Sequence, residues 1–474
     1  MSMRLSLIQL WFVLLSLLLR LASPSSAQEQ GFNFGQLEKV VVAELKETNT
    51  PGAAVAIVSG NRVVFAKGFG VANIETGAQV MPDTLFRIGS VTKMFTAAVL
   101  VTLAEEGWIK LDEPIGKYVK GLNAKLSLLT AHQLLSHMAG ITDESPPDYG
   151  SHDDPVLAAY VRSLNEEHIF TEPGDIFSYS NPGFDVAGFL IEEVGGTPYA
   201  DQMSERLFKP LGMNSTTFRP TLAMTYPLSQ GHDVSGKAKP RVIRPFGDNV
   251  AGWPDGFMFS NVNELARFAI AFMNSGRIDG KQILNPAVIT KLSTPYADLH
   301  SPFGFENGRY GYGLFVHDHR GVRVVWHAGL LPGFGALLQM VPIKRFAVIV
   351  LANKSGTLLK KTAERAMELL LPLEAEPQTK PKRALPVKEA EISDCVGIYV
   401  NKPETAEILM KEGKLVLKWK DGEFLITKTG DYRFSFTKPS ESGAEEFVLV
   451  RGGDGKTKYL HIGRHALKKI QAKK

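Results

Sequence analysis

Ser90 and Lys93 are the residues of this chain whose types and spacing most directly offer chemistry: attack by a hydroxyl on a carbonyl, with an amine beside it to handle the proton. A serine hydroxyl is a poor nucleophile near neutral pH and needs a base within hydrogen-bond reach. The tetrad Ser90-Val91-Thr92-Lys93 opens a stretch in which Phe95, Ala98, Val99 and Leu103 recur at helical spacing, stopped by Gly107. Residues three apart on a helix share a face, so the two side chains fall about one turn apart. Gly89 allows an unusual backbone angle just before the helix. A serine at a helix start also meets N–H groups and a positive dipole end, which favour an alkoxide or oxyanion. A capping role for Ser90 would account for the serine but not for an apolar-facing lysine between Val91 and Phe95, which is costly to bury without a partner.

Two further motifs follow in order. Tyr179-Ser180-Asn181 lies between Pro173-Gly174 and Pro182-Gly183, and in an extended loop residues i and i+2 face the same way, toward one pocket. A tyrosine beside a lysine ammonium can shuttle a proton to a leaving group, and the Asn181 amide can hold substrate and orient Lys93. Trp326-His327-Ala328-Gly329-Leu330 ends a strand. Gly329 there allows close approach of the backbone to a ligand, and the Leu330 N–H can join that of Ser90 as an oxyanion hole. Alone, Tyr-x-Asn also fits a plain loop, and His327 a satisfied sheet histidine. The chain holds a second Ser-x-x-Lys, Ser435-Phe436-Thr437-Lys438, but Ser435 alternates with Phe434 and Phe436 as in a strand, where i and i+3 point to opposite faces.

The elements that must position these residues are legible as patterns. A helix is predicted over 34–47, then a hairpin of strands 53–58 and 63–69 turning at Ser59-Gly60-Asn61. Helices are predicted over 90–106, 130–137, 184–194, 263–274 and 360–371. Strands are predicted over 310–317, 322–327, 336–341 and 347–352. Strands at both ends with helices between predict an α/β (α+β) fold, one sheet with an inserted helical region. Residues 372–391, proline-rich and almost without aromatics, read as a linker. Beyond them, seven short alternating runs separated by turns predict a small antiparallel β-barrel or sandwich over 392–474.

Length and composition set the bounds. With 474 residues, two domains are expected. A charged fraction of 22% and a hydrophobic fraction of 44% exclude a wholly disordered chain, and a net charge of +4 gives no nucleic-acid footprint. The single Cys395 allows no internal disulfide and reads as a buried small hydrophobe. At the N-terminus, Arg4, an apolar run over 5–19 and Ser25-Ser26-Ala27 form a signal-peptide pattern over 1–27. A periplasmic or secreted protein is expected, attached to a membrane only if that segment stays uncleaved.

With these motifs in one order, the chain resembles the class C β-lactamase-like serine hydrolases of the β-lactamase and penicillin-binding-protein superfamily, the S12-like serine peptidases among them. Leu85-Phe86-Arg87-Ile88-Gly89-Ser90, the stretch from Leu134 to Ile141 and Tyr179-Ser180-Asn181-Pro182-Gly183 carry the resemblance over roughly residues 34–371. Residues 392–474 resemble the lipocalin-like barrel appended to some members. The resemblance implies a β-lactamase/transpeptidase-like sheet flanked by helices and an acyl-enzyme on Ser90, with Lys93 and Tyr179 sharing the proton. Asn181, His327, Gly329 and Leu330 would form the substrate side of the site. It implies no metal or organic cofactor. His137 matches a structural landmark, and Glu166 and Glu167 read as surface charges. Where penicillin-handling members carry Lys-Thr-Gly or His-Thr-Gly, this chain has His327-Ala328-Gly329, without the hydroxyl that binds a carboxylate. Ester, amide or D-amino-acid peptide substrates, possibly cell-wall-derived, are therefore expected ahead of β-lactams. A β-lactamase or D-alanyl-D-alanine carboxypeptidase, and a non-catalytic penicillin-recognition or cell-wall-binding module, are the alternatives. No Gly-x-Ser-x-Gly elbow supports an α/β-hydrolase.

Overall fold

Gly52–Ser59 is buried along almost its whole length because it lies inside an eight-stranded sheet covered on both faces. Ala54, Ala56 and Val58 join the main core, while Ala53, Val55 and Ile57 are buried on the opposite face. The structure, a computed structural model, describes residues 33–470 except 145, 147–150, 235–238, 246, 304, 377–381, 421 and 439–442. The signal segment expected over 1–27 lies outside these. Among the described residues no helix is long and apolar enough to cross a membrane.

The sheet is assembled from both ends of the sequence, as expected. Gly52–Ser59 pairs with Arg62–Gly70 on one side and with Phe346–Ala352 on the other, Val55 opposite Val350. Phe334–Val341, Val322–Leu331 and Phe315–His319 follow, all antiparallel. Helix Val262–Met273 lies on the sheet, its apolar residues in the main core with those of helix Thr92–Glu105.

Two predicted elements are shorter than their patterns. The strand expected over 310–317 is broken into Arg309–Tyr310 and Phe315–His319. Gly313 turns between them with φ +71°, and a Cβ there would stand 2.6 Å from the Lys93 carbonyl oxygen. The helix expected over 130–137 runs only from Ala131 to Leu135, opened by a Thr130/Gln133 capping box and followed by His137 in a left-handed conformation, φ 56°.

The C-terminal strands form a nine-stranded antiparallel sheet. Its two edges, Gly422–Leu425 and Thr427–Gly430, are consecutive in the chain with Ile426 between them, so the sheet curls almost into a closed barrel. Phe434 and Phe436 point into its core while Ser435 points away, which settles the second Ser-x-x-Lys as a strand residue. Cys395 is buried against this core and its thiol is pushed up to about 12 by desolvation. The pattern reading missed His465–Ile470, the strand that pairs with Gly397–Asn401. Helix Glu389–Cys395 begins inside the stretch read as a linker.

The barrel packs on the chain leading to Tyr179. Ile176 clusters with Tyr459 and Ala466. Tyr459 donates to Asp175, Asn401 Nδ2 and the Ala466 N–H both reach Ser178 Oγ at 3.2 Å, and Ser301 Oγ meets His461 Nδ1 at 2.8 Å.

Candidate active site

Phe86 and Arg87 pair with Phe259 and Ser260 in a short antiparallel bridge, and the buried Arg87 guanidinium meets Asp248 at 3.0 Å. This fixes the approach to Ser90. Gly89 adopts φ +54°, Gly89–Val91 forms a single 3-10 turn, and helix Thr92–Glu105 continues from it. Lys93 therefore sits in the first turn of that helix. Its ammonium is fully buried and donates to three oxygens: Asn181 Oδ1 at 2.6 Å, the Asp255 carbonyl at 2.7 Å and Ser90 Oγ at 3.3 Å.

Tyr179 and Asn181 are brought to the same lysine, but not as two side chains of one extended loop. Ser180 is an N-cap, its Oγ accepting from the Gly183 N–H at 3.2 Å, and Asn181 starts helix Asn181–Gly195. Alternation ends there, so Asn181 lines the cavity while Tyr179 lies behind it, fully buried. The Lys93 Nζ is 4.9 Å from the centre of the Tyr179 ring, and the Tyr179 hydroxyl has no hydrogen-bond partner among the described residues. His137 accepts from the Ser180 N–H through Nδ1 at 3.1 Å, which positions this loop. Burial, then the Lys93 charge, holds its imidazole well below the ordinary range.

The third motif lies in strand Val322–Leu331. Gly329 serves a backbone contact different from the one its type suggested. A Cβ on Gly329 would fall 1.7 Å from the Ile88 carbonyl oxygen, so the close approach is to the nucleophile's own turn. Reciprocally, a Cβ on Gly89 would fall 2.6 Å from the Leu330 nitrogen. The Leu330 N–H is thus held against the Ser90 turn. His327 is buried and lines the cavity, with Nδ1 2.6 Å from the Ala328 carbonyl and Nε2 3.2 Å from the Tyr310 hydroxyl. Desolvation and the Lys93 charge lower its pKa to about 3, so it stays a neutral ring.

Ser90, Asn181, His327 and Leu330 open onto one cavity of about 930 Å³. Phe303, Phe305, Phe315 and Trp326 make part of its wall apolar. A seryl oxygen beside a buried amine, the Leu330 backbone nitrogen held against the serine's turn and an apolar chamber suit acyl transfer. Glu166 and Glu167 are exposed in a 3-10 turn away from this constellation, as expected.

The family model for Beta-lactamase matches residues 37–371. The chain belongs to the Beta-lactamase family. Protein flp of Staphylococcus aureus (strain MW2) is 27% identical over 337 residues, which cover 69% of this chain and 65% of that protein. The chain thus spans about two-thirds or slightly less of the curated relatives it matches. Among solved structures, the octameric penicillin-binding protein homologue from Pyrococcus abyssi is 26% identical, covers 92% of this chain and 100% of its own, and superposes with a TM-score of 0.64. SurE, at 23% identity and 92% and 98% coverage, shares the fold with a TM-score of 0.76.

Three groups around this Beta-lactamase-family site were not read from the sequence. Asp255 lines the cavity with its carboxylate 3.6 Å from Lys93 Nζ, and the fully buried Asp185 lies against it. Desolvation, then the Asp255 charge, raises Asp185 well above the ordinary carboxyl range, so Asp185 holds the proton of the pair. Arg464 reaches the cavity from the barrel. None of these stands at a fixed spacing from Ser90. Only chemistry within Asn181-Pro182-Gly183-Phe184-Asp185, a charge on an apolar helix, could have flagged one of them.

Proposed function

We propose that this chain is a serine hydrolase that forms an acyl-enzyme on Ser90 with ester, amide or D-amino-acid peptide substrates. Ser90 Oγ attacks the substrate carbonyl carbon, and its proton passes to the pair formed by Lys93 and Tyr179 in the form that carries one proton fewer than ammonium plus phenol. The N–H groups of Ser90 and Leu330 hold the oxygen that becomes negative. As the tetrahedral intermediate collapses, the bond to the leaving group breaks and the leaving atom takes the proton back. Water then attacks the acyl carbon, giving its proton to the same pair, and Ser90 is released. Asn181 holds Lys93 through Oδ1, which leaves its amide N–H groups for the substrate. The observation carrying this reading is the buried Lys93 Nζ 3.3 Å from Ser90 Oγ at the wall of a large cavity.

Labelling with a fluorescent fluorophosphonate and turnover of a short-chain p-nitrophenyl ester test it. Both are expected in the wild type and neither in Ser90→Ala; turnover retained by that variant would sink the nucleophile assignment. A non-catalytic cell-wall-binding module would give no adduct at all, and the joint presence of Ser90, Lys93 and Tyr179 argues against it. A β-lactamase or D-alanyl-D-alanine carboxypeptidase is the second reading, disfavoured by Ala328. Export to the periplasm or medium is part of the proposal, resting on the apolar run over 5–19 and the small residues at 25–27. A mature protein whose mass begins at Met1 would overturn it.

A further inference from the structure

Leu330 lends its backbone N–H to the Ser90 turn, yet its side chain is 48% exposed and borders two cavities. One is the chamber of about 930 Å³ that holds Ser90. The other, of about 730 Å³, lies at the tip of the hairpin formed by strands Val322–Leu331 and Phe334–Val341. Ile243, Leu330, Leu331 and Pro332 line both, so the second chamber adjoins the first along an apolar strip.

The walls of this strip are fixed by backbone contacts. Gly333 turns the hairpin at φ +85°, and a Cβ there would stand 2.5 Å from the Gly231 Cα. The Gly333 N–H donates to Ser355 Oγ at 2.7 Å, and the Ile243 N–H to the Gly231 carbonyl at 2.9 Å. Polar side chains around the second chamber are partly committed. Ser355 holds Gly333, and Arg244 forks onto Glu75. Asp233 stands opposite Arg241 in the short ladder that pairs His232–Asp233 with Arg241–Val242, and Arg241 is exposed. Along the path from Ser90, the shared wall is alkyl surface.

Strand Val322–Leu331 sets which part of a substrate takes that path. The Tyr179 ring lies 6.1 Å from the His327 ring, so the pair that returns the proton stands on the His327 side of the Leu330 N–H. The leaving group departs that way. The acyl part then runs in the other direction, over Leu331 and Pro332, about 7 Å for two residues of extended chain. Pro332 has no N–H with which to pair a peptide backbone.

We propose that the second chamber takes the far end of a long, unbranched apolar acyl chain, so that the substrates are esters or amides of medium- to long-chain acids. This rests on the acyl-enzyme reading of Ser90 and names the acyl side of that same site. Ile243 and Leu331 are then specificity residues, and chain length is what they read.

The test uses the full chain and p-nitrophenyl acetate, butanoate, octanoate and decanoate, each below the concentration at which it forms micelles. In the wild type kcat/KM is expected to rise with length, by up to about fourfold for each methylene buried. Ile243→Asn places an amide on the shared strip. It is expected to lower the octanoate-to-acetate ratio about 10-fold or more while acetate turnover stays within about twofold of wild type. Ile243→Ala is expected to lower the ratio by a smaller factor, about 3- to 10-fold. A wild type that favours acetate, or an unchanged ratio in Ile243→Asn, overturns the chamber assignment and leaves Ser90 as nucleophile. Should Ile243→Asn fail to fold, Ile243→Ala decides by the same ratio. Where Ser90 is labelled by fluorophosphonates without ester turnover, equal labelling rates for short- and long-alkyl reagents overturn the assignment. No turnover and no Ser90 adduct with any reagent overturns the acyl-enzyme reading instead.

Discussion

Lys93 and Asp255 meet twice: the ammonium donates to the Asp255 carbonyl at 2.7 Å and lies 3.6 Å from its carboxylate. The charge of one of the most buried lysines in the molecule is thereby matched locally, which is what makes its burial tolerable. Asp185 stands against the same carboxylate, fully buried, and neither of its oxygens has a hydrogen-bond partner among the described residues. Two acids and one lysine thus share a single net charge balance, with the extra proton on Asp185.

That proton makes Asp185 a pH-dependent burden on the fold. The folded state keeps the carboxyl protonated above the ordinary value of 3.8, whereas the unfolded chain releases the proton there. The folded state binds more protons, so this group's contribution to stability falls as pH rises from about 4 toward the raised folded value. Asn mimics the protonated acid without titrating. Asp185→Asn is expected to match the wild type in thermal stability near pH 4 and to exceed it near pH 8, by about 1.4 kcal/mol for each unit the wild-type pKa is raised. Melting curves at the two pH values check this, and equal curves at pH 8 would show that Asp185 is not held protonated.

Gly329→Ala tests the oxyanion assignment. The new Cβ would sit 1.7 Å from the Ile88 carbonyl, backbone against backbone, so the strand must move off the Ser90 turn. The Leu330 N–H moves with it, and losing one oxyanion donor costs about 10²- to 10³-fold in kcat. Steady-state ester hydrolysis should drop by that order while far-UV circular dichroism stays native. Full activity in the variant would mean that the N–H groups of Ser90 and Leu330 do not act together.

His465 links the barrel to the loop that carries Asp143, and its pairing carries a pH signature. Burial lowers its pKa, but hydrogen bonds to Asp143 and Glu404 outweigh that and raise it above 6.5. Asp143 shifts the other way: desolvation raises it, yet the bond to His465 and that charge bring it below 3.8. The raised histidine stabilises fully below pH 6.5 and loses its effect as pH climbs through its folded value. The lowered aspartate stabilises above pH 3.8 and loses its effect as pH falls through its folded value. The pair is therefore strongest between those two limits. His465→Gln should cost most stability near pH 5 and progressively less above pH 7. A cost that grows with pH would show that the imidazole is neutral in the fold.

The main sheet, the helices that cover it and the chemical triad of motifs were legible because each rests on local periodicity or on a short run of residue types. Ser90 and Lys93 needed only helical spacing to be placed one turn apart. What the pattern could not carry was contact between distant segments. Tyr310–His317 alternates like a strand, yet Gly313 must fold against the Lys93 carbonyl and splits it. Gly329 was read correctly as a site of close approach, but its neighbour is the Ile88 backbone, 241 residues earlier in the chain, and no spacing rule connects the two. Arg464 is hidden for the same reason: its turn looks like any barrel turn until the barrel docks on Ser178 and Tyr179.

Ala328 is the position at which substrate preference should be most open to change. It stands beside His327 on the cavity wall and presents only a methyl where a hydroxyl could donate to a carboxylate. A hydrogen bond to a charged group contributes about 1.5–3 kcal/mol, equivalent to about 10- to 100-fold in kcat/KM. The wild type is accordingly expected to hydrolyse nitrocefin far more slowly than a dedicated β-lactamase does. Ala328→Thr is expected to raise nitrocefin kcat/KM by about 10-fold or more, with a smaller effect on a p-nitrophenyl ester, which has no carboxylate to bind. Threonine adds little volume at a wall already open to the cavity, so the variant should fold. Rapid nitrocefin turnover by the wild type, or a threonine variant that changes ester and β-lactam rates alike, would show that position 328 does not set this preference.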